Sequence, residues 1–263
     1  DKYTETFTVT VDDGNGGSDT NILMAVDTVN GYVYGASIPR DSKAIIGGKA
    51  HKINYAYNKG GTELLASTVS EQLGIPVDYT VCVNLQGFTA LVDAIGGVDF
   101  EVPINMDYDD PIQGLSIHFK KGMQHLSGAD ALRVVRFRHN NDGTGYGTED
   151  IGRIGTQQAF LKAVAKQLLQ IGNVKNIPAL VDIFYTYVKT DLTTGNLVWL
   201  GNEALNIGTE NIHFATLPGD GSGYYNKQSV YVLDAQATCD LVNEALNPYN
   251  EALTLEDMDI LVP

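Results

Sequence analysis

Apolar and polar side chains alternate near the start of the chain. Phe7, Val9 and Val11 interleave with Thr6, Thr8 and Thr10, the two-residue period of a half-buried strand with one apolar and one threonine face. Residues 12–17, Asp-Asp-Gly-Asn-Gly-Gly, break the pattern as a turn-rich loop. Strands are expected again over 21–27 and 32–38, joined through Val29-Asn30-Gly31, a hairpin signal. The period then lengthens. Residues 62–73 read as a helix ended by Gly74 with Pro76 beyond, 81–85 as a strand, 87–95 as a helix stopped by Gly96-Gly97, and 98–102 as a strand.

Further along, Ser127 is placed to cap a short helix with Asp130 at its third position, and 134–138 reads as extended. Residues 156–169 form a long amphipathic pattern. Helices are expected to open at Pro178 and after Thr193, and a strand over 212–217 and a helix over 234–246 complete the series. Strands and helices in this order predict a three-layer α/β/α domain with a central mixed β-sheet flanked by helices. No shift in composition marks a linker, so residues 1–263 read as a single domain.

A hydrophobic fraction of 43% with 19% charged residues is that of an ordinary globular chain. Net charge of −15 argues against nucleic acid, whose binding draws on distributed Lys and Arg contacts to phosphate. Cys82 and Cys239 are too few for a disulfide framework and read as small buried residues, with one long-range bridge left open. No run of 18 apolar residues occurs that would span a bilayer. The five histidines lack zinc-ligand spacing, and neither a P-loop nor a Gly-x-Ser-x-Gly elbow is present.

Arginine placement is more informative. Lysines are spread along the chain, whereas arginine occurs only as Arg40, Arg133, Arg136, Arg138 and Arg153. The guanidinium fork binds phosphate oxygens in pairs and keeps its charge. On a strand, Arg136 and Arg138 share a face and form either an anion clamp or a pair of surface salt bridges. Arg133 lies on the other face as solvated surface. Arg153 stands just before the long helix, where an Arg opposes the helix dipole unless an anion is shared there; the other reading is an ion pair with Glu149 or Asp150. Asp12 and Asp13 end the first strand and Asp19 begins the second, positions from which Asp12 and Asp19 converge if the strands are neighbours. Asp41 follows Arg40 and is expected to buttress it. The run Asp107 to Pro111 reads as a solvated loop rather than a metal site.

Taken in order, several segments resemble the motifs of the LytR-CpsA-Psr family. They are Ser18-Asp19-Thr20, Ser37-Ile38-Pro39-Arg40-Asp41, Lys52-Ile53-Asn54-Tyr55-Ala56-Tyr57, Gly60-Gly61 and Gly96-Gly97-Val98. Asp107 to Pro111, Gly122 to Leu126, Ala131-Leu132, Val135 to Arg138 and Gly152-Arg153 followed by Gln157 continue the resemblance, which covers most of the chain from about Phe7 to about Leu246. The resemblance implies an α/β/α domain on the outer face of the cytoplasmic membrane of a Gram-positive type bacterium, normally tethered by an N-terminal helix not included in this chain. It implies transfer of a phosphate-linked glycopolymer from a polyprenyl pyrophosphate carrier to a peptidoglycan hydroxyl with Mg²⁺. By position, Asp12 and Asp19 match the metal pair. Arg40, Arg136, Arg138, Arg153 and Gln157 match the pyrophosphate clamp, with Lys52 beside them. Two positions depart from the family pattern: Gly17 and Thr156 stand where arginine is usual, and the segment 140–149 is longer.

Charge then implies a mechanism in which arginines and Mg²⁺ hold both phosphates as the bridging P–O bond breaks. Asp19, or Arg40 with Asp41, would position the attacking hydroxyl. Phe160, Leu161, Val164 and Leu168 on the long helix would border a prenyl groove or pack in the core. The competing functions are a non-catalytic regulatory module that captures lipid-linked glycans and a simple polyprenyl pyrophosphate pyrophosphatase.

Overall fold

The computed structural model describes residues 4–148, 150–170, 177–225 and 227–261. The chain divides into two compact units, Asp1–Val83 with Lys189–Pro263, and Asn84–Val188.

The first unit opens with strands β1 (Thr4–Asp12), β2 (Ser18–Asp27) and β3 (Tyr32–Ser37), each antiparallel to the next. The β2–β3 turn is closed by the Asp27 carboxylate, which accepts from the Val29 and Asn30 amides, and by Gly31 at φ 73°. A small hairpin, β4 (Lys43–Ile46) and β5 (Lys49–Lys52), precedes helix α1 (Asn54–Leu73). Helix α1 starts earlier than its hydrophobic period suggests and is interrupted by non-helical Gly60 and Gly61; Gly74 ends it in the left-handed conformation. Strand β6 (Tyr79–Asn84) follows.

The second unit comprises α2 (Leu85–Ala94), β7 (Val98–Val102), β8 (Met106–Asp110), β9 (Leu115–Phe119), β10 (Gly122–Leu126), α3 (Gly128–Arg136), α4 (Asp150–Gln170) and α5 (Ile177–Tyr187). Strands β7 and β10 pair antiparallel, as do β8 and β9. Its core gathers Phe100, Ile117, Leu126, Val134, Phe137 and Phe160. The Ser127 side chain accepts from the Asp130 amide and starts α3 as its sequence predicts.

The chain then returns to the first unit with β11 (Val188–Thr190), α6 (Thr194–Ile207), β12 (Ile212–Thr216), the hairpin β13 (Gly219–Tyr225) and β14 (Gln228–Leu233), and α7 (Ala235–Leu241). The six-stranded sheet has the order β11-β6-β1-β2-β3-β12, and β12 runs parallel to β3. The sheet is mixed and flanked by helices, the fold class the sequence predicts. Buried residues of α1 (Leu65, Val69 and Leu73) and of the α7 region (Cys239 and Val242) pack with Leu23, Ala25 and Ala36 of the sheet. On α6, Trp199 and Leu200 line a small cavity with Phe7 and Tyr79. Both cysteines are free and buried. Among the described residues, no helix is long and apolar enough to cross a membrane.

Three local expectations are corrected. In β1, Thr6, Thr8 and Thr10 are the buried positions, while Phe7, Val9 and Val11 are only partly buried. The threonines lie opposite Ala25, Leu23 and Asn21 on the face toward α1, where small side chains are accommodated. Residues 134–138 are not a strand: 134–136 form the last turn of α3, and Phe137 leaves it in extended conformation. Burial of Ala131, Val134 and Val135 at helical spacing prevails over their β-branched preference. Asp107 to Asp110 are not a loop but strand β8, with only Pro111 in the turn.

Aspartates suit a strand poorly, and β8 compensates through its neighbours. The Asp107 amide donates to the Asn140 side chain at 2.7 Å and the Asp109 amide to the Asn141 side chain at 2.6 Å. On β9, His118 places Nδ1 2.7 Å from Asp107 and Nε2 3.2 Å from Asp109. The hydrogen bond to Asp107, with the Asp109 charge, raises the His118 pKa above its ordinary value. A folded value above the unfolded one means that the stabilisation is present in full below about pH 6.5 and fades as pH rises through the folded value. An NMR titration is expected to show His118 titrating above a free histidine, and Asp107→Asn to move it back down; an unchanged midpoint in that variant would contradict this account.

Candidate active site

In the first unit the carboxylates lie where β1 and β2 meet. Val11 pairs with Thr20 but Asp12 pairs with Ser18, so the register shifts and Asp19 becomes the extra residue of a bulge. Bulges re-aim side chains at strand ends. The Asp12 carboxylate accepts from the Tyr57 hydroxyl of α1 at 2.9 Å and from the Gly14 amide at 2.8 Å. Behind Tyr57 lies Cys82 on β6, with Sγ 3.3 Å from the hydroxyl. Burial, then the hydrogen bonds to Cys82 and Asp12, push the Tyr57 pKa upward, so this phenol stays a proton donor to Asp12. Burial likewise raises the Cys82 thiol pKa. Neither residue stood out as a site candidate in the sequence; Tyr57 was legible only as the last letter of the Lys52 to Tyr57 motif.

Asp13 folds the intervening loop, accepting from the Asn15 and Gly17 amides at 2.7 and 3.0 Å. A Cβ at Gly17 would fall 2.7 Å from the Asp13 carboxylate, which accounts for glycine here. Arg40 follows β3, and its Nη1 lies 2.5 Å from Asp19 Oδ1. Asp41 pairs with Lys52 at 2.9 Å. The carboxylate that orients Arg40 is therefore Asp19 on a neighbouring strand rather than the adjacent Asp41.

Magnesium takes one or two protein carboxylates and fills its shell with water and phosphate oxygens. Among the described residues, no group of three or more His, Cys, Asp or Glu side chains is arranged as a closed all-protein metal cage. The residues around Asp12 and Asp19 do fit a partly hydrated ion. Thr10, Ser18 and Asn21 are buried beside them on β1 and β2, and their side-chain polar atoms lack partners among the described residues. Buried polar atoms of this kind call for a water or ion.

In the second unit, Arg153 lies in the first turn of α4, whose helix begins at Asp150, earlier than the sequence pattern indicates. Its side chain is only 4% exposed, and its Nη2 is 2.7 Å from Asp150 Oδ1. Arg138 Nη2 approaches the same oxygen at 3.7 Å. One carboxylate thus orients two guanidinium groups at a helix N-terminus, where backbone N–H dipoles favour anions. Glu149, the other partner considered for Arg153, lies outside the described residues. Arg133 pairs with Asp130 on the surface, as its position on the chain suggests.

Arg136 differs from these. It is half-buried in the last turn of α3, and among the described residues it makes no ion pair. Gln157 of α4 donates its Nε2 to the Val135 carbonyl at 3.2 Å, which fixes the amide beside that turn. Thr156 is buried, with its hydroxyl 2.8 Å from the Tyr146 hydroxyl, and a Cβ at Gly152 would strike the Tyr146 ring. Tyr146, from the lengthened 140–149 segment, thus occupies the space around position 156. Of the apolar candidates on α4, Phe160 packs in the core against Phe88 and Phe100, and Val164 packs against that core. Leu161 is partly exposed and Leu168 exposed.

Comparison with known proteins decides the family. The model of the LytR_cpsA_psr family matches residues 4–247. The chain belongs to the LytR_cpsA_psr family. A Bacillus cereus relative named polyisoprenyl-teichoic acid–peptidoglycan teichoic acid transferase TagU is 33% identical over 231 residues, covering 87% of this chain and 72% of that protein. The Regulatory protein MsrR of Staphylococcus aureus is 30% identical over 206 residues, covering 78% of this chain and 60% of that protein. The crystal structure of TagV from B. subtilis superposes with a TM-score of 0.78 at 26% identity, covering 100% of both chains.

Within this LytR_cpsA_psr chain, Asp150 matters because it offsets a nearly buried guanidinium. Asp150→Ala is expected to cost about 2 kcal/mol in urea unfolding, since it removes one hydrogen-bonded carboxylate from a nearly buried guanidinium. No change in the unfolding midpoint would show that Arg153 is held without it.

Proposed function

We propose that this chain is a phosphotransferase that moves a phosphate-linked glycopolymer from a polyprenyl pyrophosphate carrier to a peptidoglycan hydroxyl. Membership of a family whose relatives are named teichoic acid transferases supports the reaction class. The observation that carries the reading is Arg136, a half-buried guanidinium without an ion-pair partner among the described residues, in the unit that also holds Arg138 and Arg153. The reaction proceeds at the cell envelope, on the outer face of the cytoplasmic membrane, where the lipid carrier presents its head group.

In this reading the acceptor hydroxyl attacks the glycan-bearing phosphorus, the bridging P–O bond breaks and polyprenyl phosphate leaves. Arg136, Arg138 and Arg153 bind phosphate oxygens and offset the charge that shifts onto the leaving phosphate. In the first unit, Arg40 is set by Asp19 and Lys52 by Asp41. Asp12 and Asp19 would hold Mg²⁺, which when bound neutralises phosphate charge. Of the α4 candidates, the partly exposed Leu161 and the exposed Leu168 are suited to a prenyl chain, whereas Phe160 serves packing.

A relative named as a regulatory protein keeps a second reading in view, a binder that holds lipid-linked glycan without turning it over. Turnover separates the two, and dependence on an acceptor glycan separates transfer from hydrolysis by water.

Arg136→Ala is expected to lower transfer of a labelled lipid-linked glycan by about a hundredfold or more while the melting temperature stays put. Undiminished turnover would remove the reading. Tyr57→Phe takes away the hydroxyl that holds Asp12 and is expected to weaken Mg²⁺ binding about tenfold, read by calorimetric titration as well as by the magnesium dependence of turnover. Equal affinity in the variant would dissociate Asp12 from the ion.

A further inference from the structure

The first unit carries a groove of about 1010 Å³ beneath the β13–β14 hairpin, and the transfer chemistry above leaves it unused. Its wall is aromatic. Tyr224 is 73% exposed, and Tyr225 beside it is 37% exposed with the Lys43 ammonium 4.5 Å from its ring centre. Gly219 and Gly223 of β13 form part of its lining, and a Cβ at either would strike β14, so glycine here lets the hairpin strands pack closely. Asp220 and Gln236 add polar groups at the edges. Tyr224 and Tyr225 together present a contiguous aromatic surface, and contiguous exposed aromatic area of this kind is what contact sites use.

We propose that this groove seats the glycan strand of the acceptor, a run of β-linked N-acetylhexosamines; the assignment rests on the transfer reading above. The C–H faces of a pyranose carry slight positive charge and stack on the negative face of a tyrosine ring. The polar edge consists of Lys43 over the Tyr225 ring, Asp220 accepting from Ser222, and Gln236 donating to Asp240, and sugar hydroxyl and acetamido groups use the remaining N–H groups and lone pairs of these side chains. Charge selects between the two glycans of the reaction. The lining holds Asp220 and Asp234 against Lys43, so a phosphate-bearing polymer is disfavoured and a neutral sugar backbone is not.

Position gives the second argument. The Tyr231 amide of β14 donates to the Asp41 carbonyl at 2.9 Å, and Ser42 bridges to Tyr231. Arg40, Asp41, Ser42 and Lys43 are consecutive, so the segment that carries Arg40 runs directly into the groove lining. The hairpin is anchored there by the Tyr231 hydroxyl, which donates to the Leu217 carbonyl at 2.8 Å. A sugar strand lying in the groove is thereby held alongside the residues that handle phosphate in this unit.

The test uses a β-1,4-linked N-acetylglucosamine tetrasaccharide titrated into the chain by calorimetry and by NMR, without any lipid donor. Wild type is expected to bind, with shifts confined to residues lining the groove. The double variant Tyr224→Ala with Tyr225→Ala is expected to bind at least about tenfold more weakly. Ile112→Ser, an exposed site in the second unit, serves as the control that binds like wild type. No binding by wild type, equal binding by the double variant, or shifts outside the groove would each overturn the proposal. Because no donor is present, these outcomes are independent of turnover. A chain that binds the sugar but never consumes donor keeps the groove and loses the transfer reading, and the converse result does the opposite.

Discussion

Arg40 reaches from the end of β3 to Asp19 at the start of β2, and this ion pair is the contact on which the first unit's chemistry depends. The strand register places Asp12 and Asp19 at one end of the sheet through a bulge. Two carboxylates so placed repel unless each is given a partner. Arg40 supplies one partner, and the Tyr57 hydroxyl of α1 supplies the other. The two contacts fix the orientation of both carboxylates at the sheet end. The buried, unpartnered polar atoms of Thr10, Ser18 and Asn21 fit the same picture of a sheet end shaped for something charged and hydrated.

The second unit applies the same principle with the signs reversed. Asp150 orients Arg138 and Arg153 at the N-terminus of α4, and Arg136 stands in the last turn of α3 with no carboxylate partner among the described residues. A half-buried guanidinium retains its charge at any working pH, so an unpaired one is maintained against a desolvation cost. Phosphate oxygens are the ligand whose charge and fork geometry match it. The groove of the β13–β14 hairpin is different in character, aromatic and weakly acidic, and suits the neutral partner of the same reaction.

Local signals were legible in the sequence because their physics is local. Ser127, Thr193 and Asp234 cap the helices that their positions announce, and each accepts a hydrogen bond from the amide three residues on. The β2–β3 hairpin was readable from Asn30-Gly31 for the same reason. What the sequence concealed depended on the third dimension. Alternation showed that β1 has two faces but not which one α1 covers, and the threonine face is the buried one. Val134, Val135 and Phe137 look like a strand until the Ser127 cap and the core claim the first two for a helix. The partner of Arg40 was taken from its neighbour Asp41, whereas strand pairing brings Asp19. Tyr57, Cys82 and Asn21 are ordinary residues in sequence and acquire meaning only from what they touch.

The central claim is that guanidinium groups of this chain bind a lipid-linked diphosphate. A crystal structure with a short-chain polyprenyl diphosphate tests it most directly. The account predicts phosphate oxygens within hydrogen-bond distance of Arg136 and Arg138. A diphosphate bound elsewhere, out of hydrogen-bond reach of both guanidinium groups, would contradict it.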